Sequence, residues 1–491
     1  MTTQTIRTRT GPCGSGKTHT TLEEVLANKG HYIWAVEKVD LIFEIDAKLR
    51  AMAAAKNIRI EIEPIASQRS ERGTTRNCRN AIEALPRIFE NDNHDHVIAI
   101  VTHKSFLNID SSGLGNWHLI IDEIPSVVAN ETLQSRAAAS WFDTHFSLTP
   151  ARDSGWSTVG LKSDLTRTEI ATDTTLATLL TFYDRVVSES TEVIADVTDW
   201  AEVTKKDVEW NWYSTWDVAQ LANFASTTLL GNDFANSIFA RLVMARNPDI
   251  IWNEIATPLR MSFAKRRMVI NYFAYGHIAS AGHFASDVGK SHLKSVAAWL
   301  RANVSADDHI WSCNGTISHT LGFIPGINLT PRQAGSNLWA GKTAATMIYS
   351  AKPSKVERTI FNAIGIDPET ICAERERETM VQFFARTSVR DPASTTDINL
   401  NCYDIEQARH LERYFKSLGY VEVELNLIDL GFADHQRVRA IVAPKPEKSP
   451  EEIAARAEIA REKSRLRMAA LRAERRALNP PKRIGRPRKS A

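Results

Sequence analysis

Residues 11–18 combine the residue types that bind phosphate and a divalent metal. They read GPCGSGKT and match the pattern GxxxxGK[ST]. In such a loop the glycines let backbone N–H groups face phosphate oxygens, the lysine reaches the β- and γ-phosphates, and the threonine hydroxyl can ligate Mg²⁺. The pattern predicts a nucleoside triphosphate site, with contacts from Gly11, Pro12, Cys13, Gly14, Ser15, Gly16, Lys17, Thr18 and His19.

A second segment supplies paired carboxylates. Residues 118–125, HLIIDEIP, form an apolar run that ends in Asp122 and Glu123. A buried parallel strand delivers such residues to the carboxyl edge of an α/β sheet, where ligands bind. There Asp122, together with Thr18, would hold Mg²⁺, and Glu123 would orient or deprotonate an attacking water. With Lys17 on the phosphates, the two segments predict hydrolysis of ATP.

The elements that must position these residues follow from hydrophobic periodicity. Leu22, Val25 and Leu26 recur at helical spacing after the glycine loop, and Gly30 is placed to end that helix. Residues 5–10, TIRTRT, alternate and are β-prone, which predicts the strand before the loop. Apolar runs at 32–36 and 97–101 predict further buried parallel strands, and residues 41–49 predict the helix after the first of them.

In this order, GPCGSGKT and IIDEIP resemble motifs I and II of the superfamily 2 DEAD/DEAH-box-type helicases, in a phage- or prophage-like form. The resemblance implies an α/β fold with two RecA-like P-loop domains. It also implies nucleic-acid contacts from Thr102 and His103, after the strand at 97–101, although such a histidine can equally be a capping or core residue. Ser226 and Thr228, in FASTTLLG, resemble motif III; the alternative is a Ser/Thr-rich turn.

A second α/β pattern begins near residue 236. It includes apolar runs at 268–273, 309–314, 345–349 and 398–404, with helices at 293–304 and 405–418. The resemblance implies nucleotide contacts from Gly335 and Asn337 in a motif V-like turn. It implies a motif VI in ETMVQFFARTSVRD, where Gln382 is followed by Arg386 and Arg390. Because the usual arginine spacing is not kept, either arginine could be the finger, and a structural ion-paired face is the alternative.

The predicted domains are residues 1–235, residues 236–443 and a tail, residues 444–491. Within the first, residues 128–220 lack the strand rhythm and carry Ala-rich stretches at 133–141 and 174–190. We predict a mainly helical inserted subdomain there. It holds a cluster of tryptophans that could stack on unpaired bases, although packing against the body is the favoured interpretation. These are Trp200, Trp210, Trp212 and Trp216.

The charge of the chain is unevenly distributed. The 491 residues carry a net charge of +2, but residues 445–491 hold 15 Lys and Arg against 6 Asp and Glu. That tail is therefore +9 and residues 1–444 are −7, a split that points to nucleic acid. The tail predicts a charged helix and then KRIGRPRK, which resembles an AT-hook. Arg483, Arg486 and Arg488 would enter the minor groove of duplex DNA; a disordered solubilising tail is the alternative.

Composition excludes several classes of protein. No apolar run approaches the roughly 18 residues of a membrane span, and the first residues lack the apolar core of a signal peptide. Five scattered cysteines without a CxxC pair indicate neither a disulfide framework nor a zinc site. We therefore expect a cytoplasmic protein of a bacterium or a phage-infected host cell.

The expected function is an ATP-dependent helicase or translocase with Mg²⁺ as cofactor. Its core would act on single-stranded DNA in replication, recombination or repair of a phage or mobile element, alongside other proteins of those processes. One alternative is a large-terminase-type packaging ATPase, which would need several acidic residues of a nuclease on its second set of strands. The other is a DNA-binding regulator in which ATP acts as a switch.

Overall fold

The computed structural model describes residues 5–66, 77–89, 94–134, 139–150, 156–172, 179–196, 209–246, 249–332 and 338–436. Gly335, Asn337, Trp200 and the basic tail with Arg483, Arg486 and Arg488 lie outside these residues.

The strands, in chain order, are β1 Thr5–Thr10, β2 His31–Val36, β3 Glu61–Pro64, β4 Val97–Thr102, β5 Trp117–Asp122, β6 Val128–Gln134, β7 Phe146–Pro150, β8 Trp156–Leu161, β9 Thr191–Asp196, β10 Glu209–Trp216, β11 Ser226–Gly231, β12 Ile251–Ala256, β13 Arg266–Ala274, β14 His309–Cys313, β15 Ile327–Asn328, β16 Ala344–Ile348, β17 Ile398–Asp404 and β18 Val421–Leu427.

The α-helices are α1 Lys17–Ala27, α2 Val39–Ala55, α3 Cys78–Glu83, α4 Leu85–Phe89, α5 His103–Phe106, α6 Ala139–His145, α7 Arg167–Thr172, α8 Leu180–Val186, α9 Ile238–Arg246, α10 Ala281–Ala285, α11 Asp287–Asn303, α12 Ser318–Leu321, α13 Lys355–Ala363, α14 Pro368–Cys372, α15 Thr379–Phe384 and α16 Ile405–Ser417. A π-helical turn, Ala373–Glu378, leads into α15.

Seven parallel strands form the first sheet, in the order β12-β1-β11-β5-β2-β4-β3. Both of its faces are covered, so alternate residues of β2 enter different cores. Trp34 packs with α1 and α2 on one face, whereas Ile33 and Ala35 pack with α3, α5 and α9 on the other. Burial on both faces explains the continuous apolar runs of the central strands.

A second sheet of six strands has the order β15-β14-β16-β17-β13-β18, and its strands are also parallel. Helices α15 and α16 cover one face and α11 the other. The predicted α/β class with parallel P-loop-type sheets is confirmed. Both sheets belong to one compact unit, Met1–His435.

The first sheet extends beyond the predicted boundary at residue 235. β12, at Ile251–Ala256, pairs in parallel with β1 along its whole length and forms one edge. The next backbone N–H, that of Thr257, donates to the carbonyl of Thr10. The chain therefore returns to the strand before the glycine loop and only then enters the second sheet at Arg266.

The segment inserted between β5 and β11 is built on an antiparallel sheet, which corrects the prediction of a mainly helical subdomain. Its order is β6-β10-β9-β8-β7, and α6, α7 and α8 accompany it. Trp212 is completely buried inside it and Trp216 packs on the first sheet, as the packing interpretation predicts. These strands carry no continuous apolar run, because their buried residues include Ser157, Ser214 and Thr215.

The insertion leaves and rejoins the first sheet at adjacent backbone positions. β6 and β10 pair in register, with Val128 opposite Thr215. One residue further, the N–H of Trp216 donates to the carbonyl of Val127 over 2.9 Å.

Among the helices in the described part of the chain, none has both the length and the apolar character required to cross a bilayer.

Candidate active site

The glycine loop lies between β1 and α1, as its pattern predicts. Gly14 and Gly16 have φ values of 84° and 89°, in the left-handed region that favours glycine. Gly11 passes close to the first sheet's edge strand, because a Cβ there would lie 2.5 Å from the carbonyl oxygen of Thr257. The loop can therefore turn tightly and present backbone N–H groups at the start of α1.

Lys17 and Thr18 occupy the first turn of α1, and their side chains have different partners. Lys17 Nζ donates to the carbonyls of Gly11, at 2.6 Å, and Pro12, at 3.1 Å. Thr18 Oγ1 donates to Asp122 Oδ1 over 3.1 Å. The structure thus joins the two segments, 104 residues apart, that the sequence assigned to one phosphate and metal site.

Asp122 and Glu123 follow the buried run of β5 at the carboxyl edge. Burial, reinforced by the neighbouring Glu123, raises the pKa of Asp122 to about 7. A buried carboxylate beside a threonine hydroxyl fits a hard cation such as Mg²⁺, whose charge would favour the ionised form. Glu123 has a φ of 72°, a strained conformation for a residue with a Cβ, and such strain is concentrated at functional sites.

Glu123 is also contacted from the second sheet. Gln382, in α15, donates through Nε2 to Glu123 Oε2 over 3.1 Å and to Glu378 Oε1 over 3.2 Å. Asn232 donates to the other oxygen of Glu378 over 2.9 Å. Burial, with Glu123 nearby, raises the pKa of Glu378 to about 7. A hydrogen-bonded chain therefore runs from the first sheet through Glu378 and Gln382 back to Glu123.

Arg386 and Arg390 reach the same site from beyond α15. Arg386 is buried, and burial together with Arg390 lowers the pKa of its guanidinium to about 10, so it stays charged at neutral pH. Arg390 lies against the glycine loop, since its Cγ is 3.6 Å from the position of a Cβ on Gly14. The sequence grouped both arginines with Gln382, and the structure brings all three to the cleft.

Two cavities adjoin the glycine loop. A cavity of about 250 Å³ is lined by Lys17, Thr18, Asp122, Glu123, Arg386 and Arg390. A larger one, of about 950 Å³, lies on the other side of Gly11 and Pro12 and lacks Lys17, Thr18 and Asp122. Of the two, the smaller cavity is the one whose lining combines the lysine, the hydroxyl and the carboxylates that could hold phosphate and a metal.

The remaining residues of the predicted nucleotide site lie in or beside the glycine loop. Cys13 and His19 also line the smaller cavity, and His19 is exposed. Ser15 is fully buried beneath the loop, and its N–H donates to the carbonyl of Pro12 over 3.1 Å. The loop residues therefore surround one space, although Pro12 faces the larger cavity.

Thr102 ends β4 and His103 follows it; Thr102 is half-buried and His103 is buried. Thr102 Oγ1 accepts a hydrogen bond from the N–H of Ser105 and begins α5. His103 is buried, its Nε2 lies 3.1 Å from the carbonyl oxygen of Asp122, and burial lowers its pKa to about 4. The capping and core alternative describes this pair, and His103 supports the backbone of the acidic motif.

Ser226 and Thr228, which were expected to contact nucleic acid, both lie on β11. Ser226 is at the amino end of that strand, where its Oγ is 2.8 Å from His118 Nδ1. Thr228 is buried within the strand. The carboxyl end of β11 is Gly231, and the next residue, Asn232, reaches the cleft.

Three cleft residues were not predicted from the sequence: Asn232, Glu378 and Tyr414. Tyr414 in α16 accepts a hydrogen bond at Oη from the backbone N–H of Cys13, over 2.9 Å. Asn232 could have been predicted as the first polar residue after β11. Glu378 could have been predicted because it lies four residues before Gln382, which is the spacing of neighbours on a helix face. For Tyr414 the sequence carries no such signal.

Comparisons with known proteins show likeness in chain path only. The sequence matches no protein-family model and no curated protein. Among solved structures, an XPD helicase has a TM-score of 0.45 and 10% identity, covering 86% of this chain and 96% of its own. Xpd4 of S. tokodaii has a TM-score of 0.46 and 11% identity, covering 87% and 96%. A DEAD box protein from Methanococcus jannaschii has a TM-score of 0.29 and 8% identity, covering 86% and 88%.

Proposed function

We propose that this chain hydrolyses ATP in the cleft between its two parallel sheets and uses the cycle to move along or unwind nucleic acid, with DNA as the partner. The observation that carries the proposal is the contact between Gln382 and Glu123. This hydrogen bond joins Gln382, in the helix α15 that covers the second sheet, to the acid that would activate water. A site assembled from both sheets can couple hydrolysis to their relative position.

The roles follow from the contacts. Lys17 would turn from the carbonyls of Gly11 and Pro12 to the β- and γ-phosphates, and Thr18 and Asp122 would hold Mg²⁺. When bound, Mg²⁺ neutralises charge on the phosphate oxygens. Glu123 would orient the attacking water.

The second sheet supplies the remaining groups. Gln382 would fix the carboxylate of Glu123, to which it already donates. The guanidinium groups of Arg386 and Arg390 would neutralise the charge that develops on the γ-phosphate.

The proposal is tested by measuring ATP turnover with and without single-stranded DNA, duplex DNA and RNA, followed by unwinding of tailed duplexes. We expect DNA to stimulate the wild type, and Lys17→Ala and Glu123→Gln to abolish that stimulation. Loss of a general base lowers turnover by about 10²–10⁴-fold. Full DNA-stimulated turnover in either variant contradicts the mechanism, and ATP binding without turnover would favour the switch alternative.

Duplex binding through the tail is a separate proposal. It rests on the net charge of +9 in residues 445–491 and on the sequence around Arg486. Cationic contacts to phosphates release counterions, so affinity falls with salt in proportion to their number. Removing residues 445–491 should weaken duplex binding and flatten its salt dependence while basal ATP turnover stays unchanged. Equal salt slopes with and without the tail would contradict it.

A further inference from the structure

Three buried histidines lie together at the carboxyl edge of the second sheet, apart from the residues of the nucleotide cleft. His277 follows β13, His283 lies in α10 and His292 lies in α11. Each is less than 10% exposed, at 7%, 3% and 8%. One nitrogen from each lies within 4.8 Å of the other two, and the described residues hold no other group of three such ligands.

Two glycines allow this close approach. A Cβ on Gly289, in the first turn of α11, would lie 1.9 Å from the carbonyl oxygen of His283. A Cβ on Gly276 would lie 2.3 Å from the carbonyl oxygen of Asp434. Both contacts are with backbone, which cannot move aside, so a side chain at either position would push the histidine-bearing segments apart.

The hydrogen bonds of His277 fix its tautomer. Its Nδ1 is 3.0 Å from the carbonyl oxygen of His435, and because a carbonyl only accepts, the proton is on Nδ1. The lone pair of His277 Nε2 then faces Tyr403 Oη, at 2.9 Å, and His283 Nε2 is 3.0 Å from the same hydroxyl. Donation of one ring N–H to a carbonyl is the usual way in which a metal-bound histidine is oriented.

His292 is the third member of the group, and its buried Nδ1 has no hydrogen-bond partner. Its ring stacks on Phe432, with centroids 4.1 Å apart and planes within 6°. An unpaired buried nitrogen is costly unless a ligand satisfies it.

We propose that His277, His283 and His292 form a zinc site, with the hydroxyl of Tyr403 facing the fourth coordination position. Zinc binds imidazole nitrogens at about 2.0–2.1 Å in a tetrahedron, which places ligand atoms about 3.3 Å apart. The observed separations of 2.9 and 3.0 Å between ring nitrogens and Tyr403 Oη are close to that spacing. The ion would tie the ends of β13 and β17 to α10 and α11.

The experiment measures zinc in the full-length protein. The protein is stripped with a chelator, incubated with Zn²⁺ in excess Mg²⁺, desalted and analysed for metal content. We expect one zinc per wild-type chain, a visible absorption band when Co²⁺ replaces it, and a higher unfolding midpoint with Zn²⁺ than without. His292→Phe, which keeps the stack on Phe432, should fold and lose both the zinc and the band.

The controls separate this site from others. His319→Asn changes an exposed histidine on the same sheet's α12 and should keep one zinc per chain. Lys17→Ala should also keep it, since the nucleotide cleft plays no part, so the zinc site and the proposed ATPase can fail independently. Wild-type protein that retains no zinc overturns the proposal, and so does His292→Phe protein with the wild-type zinc content.

Discussion

Gln382 and Glu123 are 259 residues apart in the chain, and Gln382 Nε2 donates a hydrogen bond to Glu123 Oε2 over 3.1 Å. The same amide donates to Glu378, which is held by Asn232 on the first sheet. Gln382 therefore stands between two half-buried acids, Glu123 and Glu378, and donates a hydrogen bond to each. Any relative displacement of the sheets must change the surroundings of Glu123.

We expect Gln382→Ala to lower DNA-stimulated ATP turnover by about tenfold to a hundredfold. A hydrogen bond to a charged group is worth about 1.5–3 kcal/mol, and its loss would free the carboxylate of Glu123. Steady-state kinetics should show the effect in kcat, with little change in KM for ATP. Gln220→Ala is the matched control, since Gln220 makes its hydrogen bonds to Ser111 and Glu189 instead; equal turnover in the two variants would refute this role.

Substitution of the two cleft arginines should separate catalysis from stability. We expect Arg390→Ala and Arg386→Ala each to lower kcat by about 10³-fold, the scale of an arginine finger. Because Arg386 is 3% exposed whereas Arg390 is only half-buried, Arg386→Ala should also lower the unfolding midpoint. The control is Arg267→Ala, at an exposed ion pair with Glu424. Normal turnover in both cleft variants would show that neither acts on phosphate.

The buried Glu378 should make stability depend on pH. Its pKa is about 7 in the folded protein, above its ordinary value of 4.5, so the folded state binds the proton more tightly than the unfolded state. The wild type should therefore lose stability as pH rises from about 4.5 to 7, by on the order of 2–3 kcal/mol.

In Glu378→Gln the part of that loss due to Glu378 should disappear, while the part due to Asp122, whose pKa is also raised to about 7, remains. Denaturation curves at pH 5 and pH 8 would measure the difference from the wild type. Glu422→Gln, which removes an exposed carboxylate on β18, should keep the wild-type dependence. An identical pH dependence in wild type and Glu378→Gln would contradict the buried-acid account.

The backbone of Glu123 predicts a difference between two inactive variants. Glu123→Gly and Glu123→Gln should both lose ATP turnover, but the glycine variant should be more stable by about 1 kcal/mol, because it relieves the strain at a φ of 72°. Chemical denaturation measures the difference. Asn57 also has a positive φ, of 53°, but asparagine tolerates that region, so Asn57→Gly should change stability less. A less stable glycine variant at 123 would argue against strain.

The sequence predicted the parallel strands and the meeting of the glycine loop with the acid pair best, because each leaves a local signal. A buried parallel strand is a continuous apolar run, and the glycine loop and the acid pair are each a contiguous segment. Gln382, Arg386 and Arg390 were predicted from the resemblance of their segment to motif VI, and the structure brings them to the same cleft.

Other features depend on partners distant in the chain. β12 joins the first sheet through pairing with β1, some 246 residues earlier, and no local pattern reports that. Asn232 lines the cleft six residues after Ser226, and the likeness to motif III did not point to it. His277, His283 and His292 have no recognisable spacing and meet only because Gly276 and Gly289 let the backbone approach closely.

The inserted antiparallel sheet begins beside Val127 and ends at Trp216, whose backbone groups are hydrogen-bonded to each other. The chain therefore leaves toward the insertion and returns from it at two positions one strand spacing apart, as it would if a tight hairpin took the place of the inserted sheet. We therefore expect the register of β5 against β11 to survive changes in the length of the excursion at this junction.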